Sequence, residues 1–406
     1  MRYNDSDLDN IDDLIKGLYD ESKSNISLRT LYENRLQDLN ISHRQVWLKL
    51  EIDYRTLDSI LDGDQRTFDS VVLLKLASFL ELDITEVVKL YFHSIRTNHQ
   101  VEIESSDKKA FILNNFDLKA LKKSGFITDD ADFDHIEARI NSFFGFNNIF
   151  EYNKESNKAT IFSSTRRKVK NNLSKDFWVT SARAVLLKTL NPNQFNRSKL
   201  LEFLPEMRWY SLDVDKGLYQ VSRKLFELGV TLIYHPKIGT LHIRGATLEV
   251  NKKPCIVLTN YSDKYPTLWF SLLHELHHVL FDWEKIINED HITSDTDEID
   301  KQEEEANFFA RRYLLPDPNI EDVIKNIDNQ LFISRLANKL IVHPSIIYDL
   351  YCWEMQDTVK AIYAKYRHEM PDLTTCIKNL SSHRWDEVKT TTQIALSKKN
   401  NIFNLV

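Results

Sequence analysis

The chain has 406 residues and a mass of 47.8 kDa, enough for two or three domains with sizeable cores. Its net charge of −7 excludes a general electrostatic attraction to nucleic acid or to anionic membranes. The 3 widely spaced cysteines indicate a reducing compartment and argue against a cysteine metal site, and the acidic residues 1–7 are unlike a signal peptide. No apolar run reaches the ~20 residues that a membrane helix needs, so we expect a cytoplasmic protein.

The few turn-forming residues, 8 Gly and 9 Pro, predict a mostly α fold with a small β-sheet, of the α+β class. Residues 1–25 are acidic and predict a loose arm or a first helix. A run of short amphipathic helices follows, with Ser42 as an N-terminal cap and Gly63 as a C-terminal cap. These helices are predicted at residues 29–39, 42–50, 53–62, 70–80 and 83–92.

Residues 26–95 resemble the phage-repressor-like helix-turn-helix family in the spacing of their core positions. The matching positions are Ser42, Leu50, Ile52, Leu57, Ile60, Gly63, Leu74, Ala77, Leu80, Leu82 and Ile84. Trp47 stands where the family favours a small residue, and Glu51 stands in the turn where it favours glycine. The resemblance implies DNA binding and, by analogy, a homodimer formed through this domain.

The charge of this segment opposes DNA binding. The expected recognition helix, residues 53–62, carries three Asp and one Arg, and residues 1–100 hold 12 Lys and Arg against 18 Asp and Glu. DNA-binding proteins gain affinity by neutralising phosphates, which an acidic surface does poorly. Two alternatives stay open: the domain binds DNA, or its fold is reused to bind a protein. Arg44, Tyr54 and Arg55 are the candidate contacts.

Residues 96–214 predict a helical connector with no recognisable motif. Helices are expected at residues 116–123, 135–144 and 175–190, and an extended hairpin at 147–164. The basic cluster at 165–170 faces either an anionic partner or solvent. Trp178 and Trp209 are expected in the core. Strand-like segments at residues 230–235, 240–248 and 255–259 then predict the small sheet.

The stretch at residues 269–281 contains the pattern H-E-x-x-H, formed by His274, Glu275 and His278. Side chains four residues apart share one face of a helix, so the two imidazoles can bind one metal ion. Glu275 lies roughly 100° around the helix, where it can reach a water held by the metal. This is the arrangement of zinc peptidases, in which the carboxylate takes a proton from that water.

A second helix, predicted at residues 302–315, offers a third ligand. Its inward stripe runs through Glu303, Ala306, Asn307, Ala310, Tyr313 and Leu314, at spacings of three and four. Glu303 begins this stripe, and Asn307 stands one turn later as a candidate partner for a metal ligand. The alternative is a solvated acidic helix start, because carboxylates favour helix N-termini.

Together these two stretches resemble the ImmA/IrrE-type metallopeptidase family, across roughly residues 215–345. The family pairs H-E-x-x-H with E-x-x-A-N-x-F-A-x-x-L-L-x-P, and residues 303–316 match most positions of the second pattern. The resemblance implies that His274, His278 and Glu303 bind Zn²⁺ and that Glu275 is the general base. One departure from the family bears on the site: His277 replaces the usual glycine, and it is either a substrate or proton-handling contact or a polar helix residue.

The predicted organisation is a mostly α chain: an acidic arm (1–25), a helix-turn-helix bundle (26–95), a connector (96–214), a zincin-like metallopeptidase domain (215–345) and a C-terminal helical extension (346–406). An acidic link at 282–301 joins the two motif helices. The resemblance implies a zinc endopeptidase that cleaves a transcriptional repressor, a similar regulator or itself, in stress or phage response. The alternatives are a DNA-binding or antitoxin-like regulator with an inactive or sensory peptidase domain, and a protein-interaction module with a vestigial metal site.

Overall fold

A computed structural model of the protein describes residues 27–64, 69–152, 160–164, 172–239, 241–288 and 296–404. The predicted acidic arm at 1–25 and the basic cluster at 165–170 lie outside these residues. Contacts divide the chain into two compact units, Met1–Lys109 and Ala110–Val406. The prediction of a mostly α fold with a small sheet is confirmed.

The first unit is a helical bundle. Its helices are α1 Leu28–Leu39, α2 His43–Leu50, α3 Tyr54–Asp62, α4 Ser70–Leu80 and α5 Ile84–Asn98, and α6 Gln100–Asn115 runs on into the second unit. The first five helices each begin after a side chain that accepts a hydrogen bond from a backbone N–H of the first turn, as the sequence predicts for Ser42. Their apolar faces share one core, which includes Leu28, Tyr32, Leu57, Ile60, Leu76 and Tyr91.

Helices α2 and α3 are joined by a turn of three residues, 51–53. Glu51, at the position where the helix-turn-helix family favours glycine, has a left-handed backbone with φ 52° and ψ 51°. Asp53 then caps α3, and Gly63 ends it with φ 73°. A side chain at Glu51 therefore occupies a conformation that costs an L-residue about 1–2 kcal/mol.

The second unit contains a four-stranded sheet and fifteen further described helices. The strands are β1 Thr160–Ser164, β2 Thr231–Tyr234, β3 Ile243–Val250 and β4 Lys253–Leu258. The helices are α7 Leu118–Ser124, α8 Phe133–Phe144, α9 Asn172–Thr189, α10 Arg197–Phe203, α11 Met207–Tyr210, α12 Gly217–Glu227, α13 Tyr265–His277, α14 Trp283–Asn288, α15 Thr296–Leu314, α16 Ile320–Asn326, α17 Gln330–Leu340, α18 Pro344–Met355, α19 Ile362–Lys365, α20 Thr374–Asn379 and α21 Thr391–Lys398.

The sheet has the strand order β1-β3-β4-β2. Strands β3 and β4 form a hairpin whose two turn residues, Asn251 and Lys252, both have positive φ, as a two-residue hairpin turn requires. Strand β2 pairs with β4 in parallel, and β1 pairs with β3 antiparallel. Of the predicted hairpin at 147–164, residues 149–151 form a helical turn instead of a strand, residues 153–159 lie outside the described residues, and the last five residues pair with β3, about eighty residues further along the chain.

Helix α13 lies between the sheet and the surrounding helices, and all of its residues except the partly exposed Thr267 are buried. It packs against β3 and β4 on one side and against α15 and α18 on the other. Helix α15 begins at Thr296, seven residues before Glu303, so Glu303 does not lie at a solvated helix start. The predicted link at 282–301 is shorter than expected, because α14 and the first turn of α15 occupy most of it.

The C-terminal segment completes the core on the other side of the sheet. Trp385 and Ile394 are buried in the same cluster as Val257 of β4 and Trp178 of α9. The indole N–H of Trp385 donates to the backbone oxygens of residues 236 and 237, at 3.2 and 3.0 Å. Trp178 is in the core as predicted, whereas the prediction for Trp209 is wrong, since 59% of its surface is exposed.

Candidate metal centre

Three side chains from α13, its continuation and α15 converge at one point. Nε2 of His274 and Nε2 of His278 are 3.2 Å apart, and each lies 3.4 Å from a carboxylate oxygen of Glu303. Both imidazoles are fully buried, and 14% of the Glu303 side chain is exposed. Ligand atoms on a tetrahedral zinc ion, with bonds of about 2.0–2.1 Å, are separated by roughly 3.3–3.4 Å. The three separations match this spacing.

The outer nitrogens of both imidazoles face oxygen acceptors. His274 Nδ1 lies 3.2 Å from Oδ1 of Asn307, and His278 Nδ1 lies 2.8 Å from Oδ2 of Asp282. A proton on each Nδ1 satisfies these contacts and leaves an Nε2 lone pair on each ring directed at the same point. The two oxygens of Glu303 are buried there without a hydrogen-bond partner in the described structure. Lone pairs and carboxylate oxygens repel one another unless a cation lies between them, so this donor set fits a metal ion.

Carboxylates around His278 favour its protonated form while no metal ion is bound, so a metal must displace the proton on Nε2. Burial acts to lower its pKa, but the hydrogen bond with Asp282 and the nearby Glu303 and Glu275 raise the pKa to about 9. Burial dominates at His274 and lowers its pKa. Burial also acts to raise the pKa of Glu303, but the two histidines outweigh it and the pKa is lowered. Glu303 is therefore an anion at neutral pH, as a metal ligand must be.

The Glu275 side chain contacts β3. Its Oε2 accepts a hydrogen bond of 2.7 Å from the hydroxyl of Thr247. Beside Thr247 on the same strand face, Gly245 leaves room for the carboxylate, because a Cβ at that position would lie 2.8 Å from Glu275 Oε1. The side chain is fully buried. Strand β3 therefore holds the predicted general base in one orientation.

His277 belongs to the surroundings of the metal ligands. Its ring is 8% exposed and packs against the rings of Phe281 and Phe309, at centroid distances of 4.9 and 5.5 Å. Its Nδ1 lies 3.5 Å from Oδ2 of Asp282, the same oxygen that His278 contacts. The structure thus places His277 beside Asp282, which is the hydrogen-bond partner of His278, and places Asn307 beside His274.

Asp282 is brought under His278 by a π-helical turn, residues 278–282, that continues α13. Such turns are rare, and they occur frequently at functional sites. Burial acts to raise the pKa of Asp282, but His277 and His278 lower it well below its usual range. The sequence places Asp282 in the acidic link and does not by itself predict this role. Its spacing of four residues from His278 was the signal that could have found it, whereas no local pattern connects Thr247 with Glu275.

The candidate contacts of the first unit lie at a separate surface. Arg44, Tyr54 and Arg55 are all exposed. Two of the three acidic residues of the predicted recognition helix are occupied elsewhere, because the Arg29 guanidinium donates to Asp58, at 2.8 Å, and to Asp62. The third, Asp53, caps α3. The outward face of this helix is therefore less acidic than its sequence suggests.

Comparison with known proteins agrees with the geometry of the second unit. Residues 227–347 match the family model Peptidase_M78, the IrrE N-terminal-like domain. This range includes β2 to β4, α13 and α15, and so contains every side chain of the metal centre. The match supports a metallopeptidase-type function for this part of the chain.

No curated protein and no solved structure matches the chain. The helix-turn-helix identity of residues 26–95 stays a prediction, since the family match does not extend to them. Among the described helices, none combines the length and apolarity needed to cross a membrane.

Proposed function

We propose that the protein is a zinc-dependent endopeptidase fused to an N-terminal helix-turn-helix module. The observation that carries this proposal is the convergence of His274, His278 and Glu303 at separations of 3.2 to 3.4 Å, with both Nδ1 atoms facing other partners. When bound, Zn²⁺ supplies Lewis acidity and makes water a stronger nucleophile at neutral pH.

The protein's own residues handle the protons. Glu275, held by Thr247, takes a proton from the attacking water and passes it to the leaving amine. Asn307 and Asp282 hold the two imidazoles in the tautomer that directs Nε2 inwards. The buried position of Glu275 excludes competing solvent from its carboxylate.

The substrate that we propose is a transcriptional repressor or a similar regulatory protein, cleaved in response to stress or to mobile elements such as phages. Self-cleavage near residues 93–115 is less favourable, because α5 and α6 make almost all of this segment helical. A peptidase that acts on an extended chain could cut there only after the helix unwinds.

Metal content tests the site directly. We expect about one zinc per chain in the wild type, its loss in Glu303→Ala and its retention in Glu304→Ala, whose side chain is exposed on the same helix. Glu275→Gln should keep the zinc and lose hydrolysis of a peptide library. Absence of zinc from the wild type after zinc addition would overturn the metal site, and cleavage by Glu275→Gln at the wild-type rate would remove Glu275 from the mechanism.

A second function, DNA binding by the first unit, is favoured by one observation. Arg29 neutralises Asp58 and Asp62 while Arg44, Tyr54 and Arg55 remain exposed. We expect a DNA-binding face to lose affinity in Arg55→Ala, with a shallower dependence on salt, and to keep it in the exposed control Lys109→Ala. Equal affinities for the two variants would favour a protein partner or none.

A further inference from the structure

A cavity of about 620 Å³ opens beside the metal centre. Thr267 and Phe270 of α13 form one wall, and the ring of Phe270 lies 6.5 Å from that of His274, one helical turn away. Arg244 of β3 lines the opposite side and directly precedes Gly245, which makes room for Glu275. The cavity is thus one helical turn from His274, near enough to receive a residue that neighbours the scissile bond of a peptide bound at the metal centre.

The cavity carries more positive than negative charge. Lys264 faces Asp349 at 3.7 Å, so these two charges offset each other. Lys237, whose Nζ donates to the backbone oxygen of Tyr261, and Arg244 form no ion pair with a carboxylate that lines the cavity, although Arg244 also attracts Asp349 electrostatically. The excess charge of the cavity therefore comes from Lys237 and Arg244.

Several polar atoms of the residues that line this cavity lack a hydrogen bond in the described structure. Nε of Arg244 and Oγ of Ser262 are buried and have no hydrogen-bond partner in the described structure, and buried Oδ1 of Asp349 has only its ion pair with Lys264 at 3.7 Å. Asp349 is itself only 9% exposed. Buried polar atoms are rarely left unsatisfied in a native protein unless water or a ligand satisfies them. Here two donors and one acceptor are available, which suits a carboxylate together with a peptide N–H.

The remaining walls are aromatic. Tyr261 and Phe270 each lie 5.7 Å from the Arg244 guanidinium, and Trp353 and Tyr363 complete the cavity. These rings limit access of water and hold the guanidinium in place, so a charge-assisted hydrogen bond to it is stronger than at an open surface. The volume lies within the ordinary range of ligand pockets.

We propose that this cavity recognises a peptide carboxylate next to the scissile bond, with Arg244 as the residue that determines this specificity. The inference rests on the proposed peptidase function and names its substrate class. The carboxylate is either an internal acidic side chain or the free C-terminus of a short substrate, and the experiment below separates the two sources. A substrate with a basic residue at this position would meet two uncompensated cations and bind less tightly.

The test uses the full chain with Glu275→Gln, so that peptides are bound without being cleaved. Fluorescein-labelled nonapeptide pools, random except for a central Glu or Gln and amidated at the C-terminus, are titrated by fluorescence polarisation. We expect the Glu pool to bind about tenfold more tightly than the Gln pool. Adding Arg244→Gln should abolish this preference, Arg244→Lys should retain part of it, and Arg335→Gln, an exposed control on α17, should leave it unchanged.

A third pool has a central Gln and a free C-terminus. If this pool binds tightly and the amidated Glu pool does not, the carboxylate that the cavity recognises is the C-terminus of the peptide. Equal binding of all pools, or a preference that survives Arg244→Gln, overturns the proposal. Hydrolysis of the same pools by zinc-loaded wild type reports separately on the peptidase function. A preference for the Glu pool without hydrolysis would contradict the peptidase function and support the carboxylate-binding cavity. Hydrolysis without any preference for a carboxylate would contradict the cavity proposal alone.

Discussion

Asp282 accepts a hydrogen bond of 2.8 Å from Nδ1 of His278 and lies 3.5 Å from Nδ1 of His277. Oδ2 of Asp282 therefore contacts the Nδ1 atoms of both His277 and His278. His277 replaces the small residue expected from the family resemblance, and Asp282 gives its imidazole a polar partner in an otherwise aromatic environment. His277, which departs from the family pattern, thus shares an acceptor with His278, one of the proposed metal ligands.

Removing the charge of Asp282 should weaken metal binding. We expect Asp282→Asn to bind zinc about 10- to 100-fold less tightly, because an amide is a weaker acceptor and orients His278 less firmly. The measurement is competition with a chromophoric chelator. Glu284→Gln, an exposed change two residues further along, serves as the control. Equal zinc affinities of the two variants would show that Asp282 does not support the ligand.

The hydroxyl of Thr247 should matter for catalysis and not for metal binding. Thr247→Val keeps the shape of the side chain and removes the hydrogen bond to Glu275, so we expect peptide hydrolysis to fall by about tenfold or more at unchanged zinc content. Thr247→Ser retains the hydroxyl and should retain most of the activity. Loss of zinc from Thr247→Val would contradict the prediction that Thr247 acts only on Glu275, since it would show that Thr247 is also needed for metal binding.

The left-handed backbone at Glu51 predicts a stabilising substitution. Glu51→Gly removes the cost of placing a side chain at φ 52°, and we expect about 1 kcal/mol of added stability in the first unit after the greater flexibility of glycine is counted. Hydrogen exchange of the amides in α2 and α3 should slow by roughly fivefold.

Glu33→Gly, at an exposed position inside α1, is the matched control for that experiment. Glycine in a regular helix destabilises it by about 1 kcal/mol, so exchange in α1 should become faster. If Glu51→Gly also accelerates exchange of the amides in α2 and α3, the side chain of Glu51 stabilises the first unit by more than its backbone strain costs.

Two buried histidines predict loss of stability in acid. Burial lowers the pKa of His235 and His383 well below 6.5, and nearby Lys398 lowers both further. Below about pH 6.5 the unfolded chain takes up protons that the folded protein does not, so the free energy of unfolding falls as the pH falls. Each group contributes up to about 1.4 kcal/mol per pH unit in this window.

Urea unfolding at pH 7.0 and 5.5 tests this dependence, with tryptophan fluorescence as the signal. Six of the 7 tryptophans lie in the second unit and only Trp47 lies in the first, so the signal reports mainly on the second unit. We expect His383→Gln to lose less stability between the two pH values than the wild type. His368→Gln, at an exposed position, should behave like the wild type, and a steeper loss in His383→Gln would contradict the argument.

Features that depend on neighbouring residues could be predicted from the sequence. The capping box at Ser42, the end of α3 at Gly63 and the inward stripe of α15 that includes Glu303 all follow from local spacing. The two motifs also predicted which side chains meet, because helical periodicity fixes one face and a buried polar residue on that face needs a partner.

Features that depend on contacts between residues far apart in the sequence could not be predicted from it. Strand β1 is defined by its pairing with β3, and five residues without a turn signal of their own do not specify a partner so far along the chain. The cavity beside Phe270 brings together residues from β3, α13 and α18, and nothing local to Arg244 or Asp349 indicates that they share it. Burial of Trp385 depends in the same way on elements from both ends of the second unit.

Lys398 has a consequence for how the protein acquires its structure during synthesis. Its buried ammonium donates to the backbone oxygens of Tyr234, at 3.0 Å, and of Ser381, at 3.1 Å. The end of β2 is thus covered by residues that leave the ribosome more than 140 positions later. Among the described residues, the core of the first unit is built from residues 28–95 and can fold while translation continues, whereas the second must wait for its last helix. Until then its apolar sheet is exposed, and this is the stage at which we expect the nascent chain to depend on chaperones.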